Sequence, residues 1–506
     1  MFIGVLIMFF SSCRKDFDTI PSTGQLEFSK DSVLLNRVFD SISSSTQNFK
    51  VYNRSDDDIT IPRISLGRGE ASFYRLNVDG IPGKSFENID ILAHDSIYVF
   101  VEATVDFEQV TDKDFFYRDS VVFYSDIREQ DVKLEALVMD VHLIRPDRQQ
   151  QPDGSFLYEA IVLGSDKDGN PIGVKGSLLS GNTTCTNDKP YLVYGYIGVP
   201  TGATLTINAG ATFYFHNNSG IIVQNGASIK VNGQLEQNVL FEDDRLEPDY
   251  EDVGGQWGTI WLMAGSKENV IDHAIIKNNI IGVLVDSTGS NAPTLTISNT
   301  QVYNTSNYAI LAREAIISGK NLVTGSSGAA TIACWGGSYE FTHCTFANYW
   351  VGNFRDGIDL RNYLTYFEED GTEVVIPKEL LAATFTNCII DGNNGVELNF
   401  DFVKEKPYKY HFKNCMLRFE TSNNNLINSP LYDFTNTSLF ENNILNGEAD
   451  FKDIENNEFI IGQDSDAINK ADAAGALLVP FDILGINRTA SPDIGAYQHV
   501  IFEEGN

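Results

Sequence analysis

Apolar and polar residues alternate in short segments along the first part of the chain, and turn residues separate these segments. Clear examples are Ser72–Val78, Ser96–Glu102 and Asp119–Tyr124. Alternation with a period of two over four to eight residues is typical of strands that bury one face. Roughly seven such strands between residues 26 and 142 therefore predict a two-sheet β-sandwich.

From residue 158 onward, a pattern of six residues recurs along the chain. Its first residue is apolar, its third is mostly Asn or His, and its fourth and sixth are predicted to point inward. The copies are Ile271–Ile276, Ile297–Val302, Ile317–Leu322, Phe341–Phe346, Phe385–Ile390 and Phe412–Leu417. Their starts lie 26, 20, 24, 44 and 27 residues apart. Repeats of this length predict a solenoid over residues 158–463, in which one coil carries an insertion at roughly residues 362–381.

Equivalent residues of stacked coils form columns inside such a solenoid. Asn and Gly at the third position tolerate the backbone angles of a bend. Cys344, Cys388 and Cys415 share one inward column, where packing as small apolar groups is favoured over a disulfide between neighbours. Lys320 does not fit this column. This misfit predicts that the coil is shifted locally, so that Lys320 does not point inward. The alternative is that Lys320 is buried and has a specific role.

The N-terminus predicts export. An apolar run, Met1–Phe10, precedes Ser11, Ser12 and Cys13, and it is too short to span a bilayer. It fits the apolar part of a signal peptide. The small residues before Cys13 resemble the lipobox of bacterial lipoproteins, which implies cleavage before Cys13 and a lipid anchor of several acyl chains on Cys13. The charged start of the following linker, residues 14–25, resembles a signal for display on the outer face of the outer membrane.

Two further resemblances concern the folded parts. The strand order "KVYN", "ITIPRISL", "FYRLNVDG" and "IYVFVEATVD" resembles immunoglobulin-like modules of the Hydin and ASPM type. The C-terminal strings "SDAINKADAA", "DILGINR" and "SPDIGAYQ" resemble the end of the β-helix family labelled choice-of-anchor Q. The second resemblance implies a right-handed, single-stranded parallel β-helix of pectin-lyase-like type. Residues 464–506 are predicted to cap it, and the polar, proline-containing residues 143–157 are predicted to be a linker.

Charge and composition exclude some functions. The formal net charge is −33, and the absence of a basic patch argues against nucleic-acid binding. No Cys-x-x-Cys pair with His partners supports a zinc site. The run Asp166–Asn170 has some likeness to a calcium-binding loop, but Gly169 is fourth where an EF-type loop needs glycine sixth. A hairpin turn is favoured there, so no cofactor is expected beyond this weak indication of Ca²⁺.

The candidate ligand site lies around the insertion. Charged and aromatic residues that stacked coils would bring to one face are Asp356, Asp359, Arg361, Lys404, Lys406, Tyr408 and Tyr410. Two carboxylates with cations and aromatics suit the binding of a sugar acid or an acid/base pair, and a charged turn before a solvated loop is the alternative. "DGID" resembles part of the polygalacturonase motif, but the companion motifs are absent. Trp335, Tyr349 and Trp350 are predicted to pack beside the core.

Three functions remain from the sequence. The first is a non-catalytic surface protein that binds a glycan or another surface partner. The second is a lyase or glycoside hydrolase acting on an acidic polysaccharide, and the third is a structural stalk. Because a β-helix fold hosts both enzymes and inert proteins, the missing catalytic motifs favour the first, and no catalytic residue is assigned. Exposed aromatic residues beside a groove would distinguish the first function from the third.

Overall fold

The computed structural model describes residues 18–110, 115–287, 292–352, 355–368 and 370–502. The chain divides into two compact units, Met1–Val141 and His142–Asn506, and in both of them most of the regular secondary structure is β-strand. The predicted signal peptide and Cys13 lie outside the described residues, so the lipid anchor stays a prediction. In the part of the chain that is described, no helix is both long and apolar enough to cross a membrane.

The first unit contains two sheets. The strands of the six-stranded sheet are Ile20–Pro21, Ser32–Phe39, Ile59–Leu66, Ser85–Ile91, Phe116–Tyr124 and Gln130–Met139. The strands of the five-stranded sheet are Glu27–Phe28, Gln47–Tyr52, Tyr74–Val78, Ile81–Gly83 and Ser96–Ala103. Short 3₁₀ turns, Gly69–Ala71 and Phe107–Gln109, join some of the strands.

Both sheets contribute to one hydrophobic core, as the alternating pattern predicts. Phe49 and Val99 from the five-stranded sheet and Ile64 and Phe123 from the six-stranded sheet are each at most 1% exposed and belong to the same cluster. The inward residues are therefore those at every second position of each strand. The two-sheet arrangement is present, while the immunoglobulin-like assignment stays a prediction.

The second unit is a β-helix-like coil of three long sheets, called sheets 1, 2 and 3 in the order in which each coil adds a strand to them. Sheet 1 contains His142–Ile144, Tyr191–Val193, Thr212–Phe215, Val239–Asp243, Ala274–Lys277, Gln301–Tyr303, Val323–Gly325, Thr345–Asn348, Ile389–Gly392, Met416–Leu417 and Ile444–Leu445. Sheet 2 contains Ala160–Ser165, Pro171–Leu178, Tyr196–Val199, Gly220–Val223, Ile260–Leu262, Ile281–Val285, Tyr308–Arg313, Ala330–Trp335, Asp356–Arg361 and Leu398–Asp401. Sheet 3 contains Thr183–Cys185, Thr204–Asn208, Ser228–Asn232, Asn269–Asp272, Leu295–Ser298, Ile316–Lys320, Gly337–Thr342, Leu380–Thr386, His411–Lys413 and Phe440–Glu441.

Neighbouring strands in these sheets are parallel, apart from the hairpin Ala160–Ser165/Pro171–Leu178 at the start of sheet 2. The turn of that hairpin is the run Asp166–Asn170, in which the Asp166 carboxylate accepts the N–H groups of Asp168 and Asn170. The predicted hairpin turn is therefore present. Among the described residues, no group of three or more His, Cys, Asp or Glu side chains is arranged to hold a metal ion. The handedness of the coil stays a prediction.

The predicted inward columns are present in the interior. Phe341, Phe385, Phe412 and Phe440 stack on one another, with successive ring centroids 5.3, 4.7 and 5.6 Å apart. Each of these residues is paired in register with the next, so the prediction that Phe341, Phe385 and Phe412 share one interior column is confirmed.

The third position of the repeat is the bend between sheet 3 and sheet 1. His273, Asn299, His343, Asn387 and Asn414 occupy it with φ angles of 49°, 48°, 53°, 56° and 48°. Few side chains tolerate this left-handed conformation, and Asn is the best suited of those with a Cβ. The fourth position follows at once, and Cys344, Cys388 and Cys415 are fully buried there as free thiols.

The predicted register of the copy Ile317–Leu322 was wrong by two residues. Gly319, and not Ile317, pairs with Ile297 on one side and Phe341 on the other. The left-handed residue of this coil is accordingly Asn321. Lys320 then pairs with Thr342 and is exposed, which explains why it did not fit an inward column.

The predicted linker, residues 143–157, instead belongs to the second unit. His142–Ile144 pairs with Tyr191–Val193 as the first strand of sheet 1. The next residues form the hairpin Arg148–Gln150/Phe156–Tyr158. Its turn includes Gly154, whose φ is 85°. An exposed hairpin of polar residues has the same composition as a linker, and for this reason the sequence predicted a linker there.

The C-terminal segment does not have the position predicted for a cap. The side chains that pack against the last coil's interior come from the segment before it, which includes the helical turns Asn424–Ile427 and Pro430–Tyr432. The later residues, with the hairpin Phe451–Asp453/Glu458–Ile461 and the helix Ala473–Leu478, cover the outer face of sheet 1. There the buried Arg488 donates to the side chain of Asn321.

Candidate functional site

Three of the predicted site residues lie on one strand of sheet 2. In Asp356–Arg361, Ile358 and Leu360 are fully buried in the interior core. The alternation of side chains along a strand therefore places Asp359 and Arg361 on the outer face of the sheet. The alternation is broken at the start of the strand. A Cβ at Gly357 would lie 3.1 Å from Ile390 of the interior core, so Gly357 and Ile358 both face inward. Asp356 therefore faces outward, and it is half-buried.

Asp359 is held by three neighbours. Its Oδ1 accepts from Nε of Arg361 at 2.9 Å and from Nδ2 of Asn399 at 3.1 Å, and its Oδ2 accepts from Nε1 of Trp335 at 3.0 Å. The Arg361 guanidinium also lies over the Trp335 ring, 5.0 Å from its centroid. Burial raises the pKa of Asp359, and Arg361 opposes this shift. The carboxylate therefore fixes the orientation of an indole and a guanidinium on the outer face.

The same chemistry occurs a second time on sheet 2. Asp286 accepts from Nε1 of Trp261 at 2.7 Å and from Nε of Arg313 at 2.7 Å. Trp261, Asp286 and Arg313 are called the first Trp–Asp–Arg cluster, and Trp335, Asp359 and Arg361 the second. Charge-assisted hydrogen bonds of this kind hold both aromatic rings in place.

An apolar surface joins the two clusters. Leu284, Leu311 and Ala333 point outward from sheet 2, yet they are only 9%, 7% and 0% exposed. The residues that pack over and around them are Trp261, Ile281, Tyr308 and Trp335. This set of seven residues is called the outer patch. The rings of Tyr308 and Trp335 meet edge to face, with centroids 5.8 Å apart.

Asp356 differs from the other acids of this face. Among the described residues, its carboxyl group makes no hydrogen bond and no ion pair. Burial raises the pKa of Asp356 to about 7, and the nearby Asp359 adds to the shift while Arg361 opposes it. A half-buried carboxyl group with such a pKa can bind a cation or exchange a proton near neutral pH.

Two insertions, the predicted one at roughly residues 362–381 and a second one at residues 401–410 on the next coil, lie side by side at the edge of the outer face. After Arg361 the chain forms the hairpin Tyr363–Phe367/Glu373–Pro377, and the hydroxyl of Tyr363 donates to Asp401 at 2.7 Å. The amide of Asn362 donates to two backbone carbonyl oxygens of the second insertion, at 2.8 and 3.0 Å. Lys406 pairs with Glu379 at 3.3 Å, and Lys404 is exposed.

Tyr408 and Tyr410 do not face this site. Tyr410 is 5% exposed, belongs to the interior core, and donates its hydroxyl to the carbonyl of Leu431 at 2.6 Å. The hydroxyl of Tyr408 donates to the carbonyl of Leu360 at 3.0 Å. Both rings turn inward because the chain that follows the second insertion re-enters the coil at Tyr410. The structure therefore does not bring Tyr408 and Tyr410 together with Asp359 and Arg361 on the outer face.

The sequence also missed residues that belong to the face. Trp261, Asp286, Tyr308 and Arg313 were not singled out, and Trp335 was expected beside the core but is half-buried on the outside. The outward position of Trp335 could have been predicted from the alternation of side chains along its strand. Cys334 is an interior residue, so its neighbour Trp335 has to point outward.

A buried acid lies close to this face. Glu397 is 0% exposed, and its Oε1 accepts the backbone N–H of Asn394 at 2.8 Å. Its Oε2 is buried without a hydrogen-bond partner among the described residues. Burial raises the pKa of Glu397 to about 9, with contributions from Asp356 and Asp391. The group is therefore neutral at pH 7.

Comparisons with known proteins give no family. No family model and no curated protein matches the chain. One similar solved structure is a protein of unknown function from Porphyromonas gingivalis, at 11% identity and TM-score 0.18, covering 25% of this chain and 56% of that one. The chain thus spans little more than half of that protein.

Two other solved structures are glycoside hydrolases. The catalytic unit of a thermostable GH87 α-1,3-glucanase from Streptomyces thermodiastaticus has 10% identity and a TM-score of 0.23, and the match covers 73% of this chain and 83% of that one. A family 123 glycoside hydrolase from Clostridium perfringens has 5% identity and a TM-score of 0.16, covering 36% and 72%. Likenesses of this size carry no argument about function.

Proposed function

We propose that the outer face of sheet 2 binds a polysaccharide and holds it without cleaving it. The observation that supports this most is the outer patch, in which Trp261, Tyr308 and Trp335 stand on apolar residues outside the coil. A strand face turned to solvent is normally polar, and an apolar surface with a polar rim is typical of a binding site. Aromatic rings with fixed polar ends offer flat apolar surfaces beside hydrogen-bonding groups, which suits sugar rings.

The repetition of the clusters favours a polymer over a small ligand. The strand before Asp286 and the strand that holds Asp359 are three steps apart in sheet 2. At ~4.8 Å a step, the two clusters are about 14 Å apart along the coil axis. A chain of repeating sugar units laid along the axis would meet the same chemistry twice.

The charges of the face disfavour an acidic polysaccharide. Arg313 and Arg361 are each neutralised by an aspartate at 2.7 and 2.9 Å, while Asp356 and Asp401 add negative charge. The whole chain carries a formal charge of −33. A polyanion would meet repulsion here, so the proposed ligand is a neutral or cationic glycan.

The proposal includes a location on the cell surface. The apolar run before Cys13 and the charged residues after it are its only support. A lipid on Cys13 would hold the protein at the outer membrane and leave sheet 2 free to meet a glycan. The first unit would then act as a spacer.

The test is binding of the soluble chain, residues 14–506, to a glycan array and to polysaccharides cast in native gels. Trp335→Ala should weaken binding of any ligand found at least about tenfold, because burial of a large apolar side chain contributes about 1.5–3 kcal/mol. Tyr98→Ala is the matched control, since Tyr98 is an aromatic residue 44% exposed on the first unit. Absence of any glycan ligand would leave the structural stalk as the better account.

A second candidate function is a glycan-cleaving enzyme, and Asp356 is the observation that favours it. An unpaired carboxyl group with a pKa of about 7 suits general acid/base work. Incubation of the ligand with wild-type protein and with Asp356→Asn separates the two functions. Chain shortening that depends on Asp356 would replace binding by hydrolysis or lyase activity.

A further inference from the structure

We propose that the glycan bound by sheet 2 carries free amino groups, and that the Asp356 carboxylate receives one of its ammonium groups. This inference rests on the proposed function and specifies its ligand as an amino-sugar polymer. It depends on which acidic residues of the outer face already have a hydrogen-bond or ion-pair partner for their carboxyl groups.

The other acids of the face already have partners. Asp286 and Asp359 are each bonded to an arginine and to an indole N–H. Asp401 accepts the hydroxyl of Tyr363. Because these groups are engaged within the protein, they are poor receptors for a new cation. Among the described acids of this face, Asp356 alone has a carboxyl group without a partner.

The surroundings of Asp356 make a cationic partner favourable. A half-buried carboxylate loses hydration that no protein group replaces. Burial and Asp359 hold the pKa of Asp356 at about 7, so part of the population is uncharged at neutral pH. An ammonium group within hydrogen-bond reach would restore a partner and favour the charged form.

A sugar ring has a place beside this carboxyl group. Tyr308 is paired in register with Ala330, and Ala330 with Asp356, so all three lie in one column. This column faces outward, because Tyr308 belongs to the outer patch and the next residue, Ala309, lies in the interior core. The Tyr308 phenol is close enough to Asp356 and Asp359 for both to raise its pKa, after the larger effect of burial. A pyranose ring on Tyr308 would therefore bring a ring substituent towards Asp356.

The arrangement also selects against an acetylated amino group. An N-acetyl group is neutral and bulkier than an ammonium group, so it would leave the carboxylate without a counter-charge. The deacetylated and acetylated forms of one oligosaccharide thus differ only in the group on the amino nitrogen, which is the group that the Asp356 carboxylate would contact.

The experiment compares β-1,4-linked glucosamine hexamers with N-acetylglucosamine hexamers by calorimetric titration of the soluble chain at pH 7. The glucosamine hexamer should bind at least about tenfold more tightly, as expected for a gained charge-assisted hydrogen bond. Asp356→Asn should remove that preference, so that the two hexamers bind this variant with similar affinity. Asp401→Asn is the matched control, and it should keep the preference because Asp401 is exposed and bonded to Tyr363.

The possible results separate the inference from the proposed function. Equal or tighter binding of neutral glycans overturns the amino-sugar inference and keeps glycan binding. Absence of all glycan binding overturns both. A preference for the glucosamine hexamer that persists in Asp356→Asn also overturns the inference, because another group than Asp356 then recognises the ammonium groups. Thermal melts verify that the variant is folded, and Asp356→Ser replaces it if the asparagine variant is not.

Discussion

Glu397 should make the second unit less stable as the pH rises, and its replacement by glutamine should remove this dependence. The carboxyl group is 0% exposed and its Oε2 has no partner among the described residues. A Cβ at Gly392 would lie 2.2 Å from its Oε1, so the space around the group is tightly filled. Glutamine has the same shape and cannot ionise, so Glu397→Gln tests the charge and not the packing.

The magnitude follows from the two pKa values. In the unfolded chain the group titrates near 4.5, and burial raises the pKa of Glu397 to about 9 in the folded protein. Between these values the unfolded chain releases a proton that the folded protein keeps. Each pH unit in this range therefore lowers the free energy of unfolding by about 1.4 kcal/mol. Relative to acid pH, the loss reaches roughly 3 kcal/mol at pH 7, and it stops growing above about pH 9.

The assay is urea unfolding followed by tryptophan fluorescence at pH 5, 6.5 and 8. Trp257, Trp261, Trp335 and Trp350 are the four tryptophans of the chain, and all lie in the second unit. The free energy of unfolding should fall more steeply with pH in the wild type than in Glu397→Gln, by about 4 kcal/mol over these three pH units. Glu405→Gln, an exposed position, should follow the wild type. Parallel pH profiles of wild type and Glu397→Gln would refute the assignment of a buried, neutral carboxyl group.

Two further predictions concern the anchor and the repeat register. Cys13→Ala should abolish incorporation of labelled fatty acid and move the protein out of the membrane fraction, and unchanged membrane association would exclude a lipid on Cys13. Gly319→Ala should destabilise the second unit by about 1–3 kcal/mol, because a Cβ there would lie 2.4 Å from Cδ1 of Phe341. Lys320→Ala, one residue further, should change the free energy of unfolding by no more than about 0.5 kcal/mol. A larger effect of Lys320→Ala than of Gly319→Ala would support the register predicted from the sequence, in which Lys320 lies in an inward column.

The interior of the coil was predictable because the same residue types recur at the same position of each coil. The aromatic column from Phe341 to Phe412 and the left-handed residues at the bend each recur once a coil, so the spacing alone places them. The register failed at Gly319 for a physical reason. Glycine has no side chain to mark an inward position, and the neighbouring Ile317 offered an apolar residue in its place.

The outer face was harder to predict from the sequence. In Ala330–Trp335 the inward Ile332 and Cys334 and the outward Ala333 are all fully buried. A strand that is buried on both faces has a continuous apolar run instead of an alternating one. The pattern therefore hides which residues point outward, and Trp335 was assigned to the core. Asp356, Asp359 and Arg361 were found because their charges mark the outward positions of the next strand.

The 44-residue step shows why such a coil can gain a site without losing its fold. The strands on either side of it, Gly337–Thr342 and Leu380–Thr386, remain paired along their length, and Phe341 still stacks on Phe385. The added hairpin after Arg361 leaves through the corner between sheets 2 and 3 and brings Tyr363 to Asp401. Inward residues thus fix the coil, while outward residues and corner insertions are free to vary. For this reason the binding site that we propose consists of the outer patch and the neighbouring Asp356, and it includes no residue of the interior.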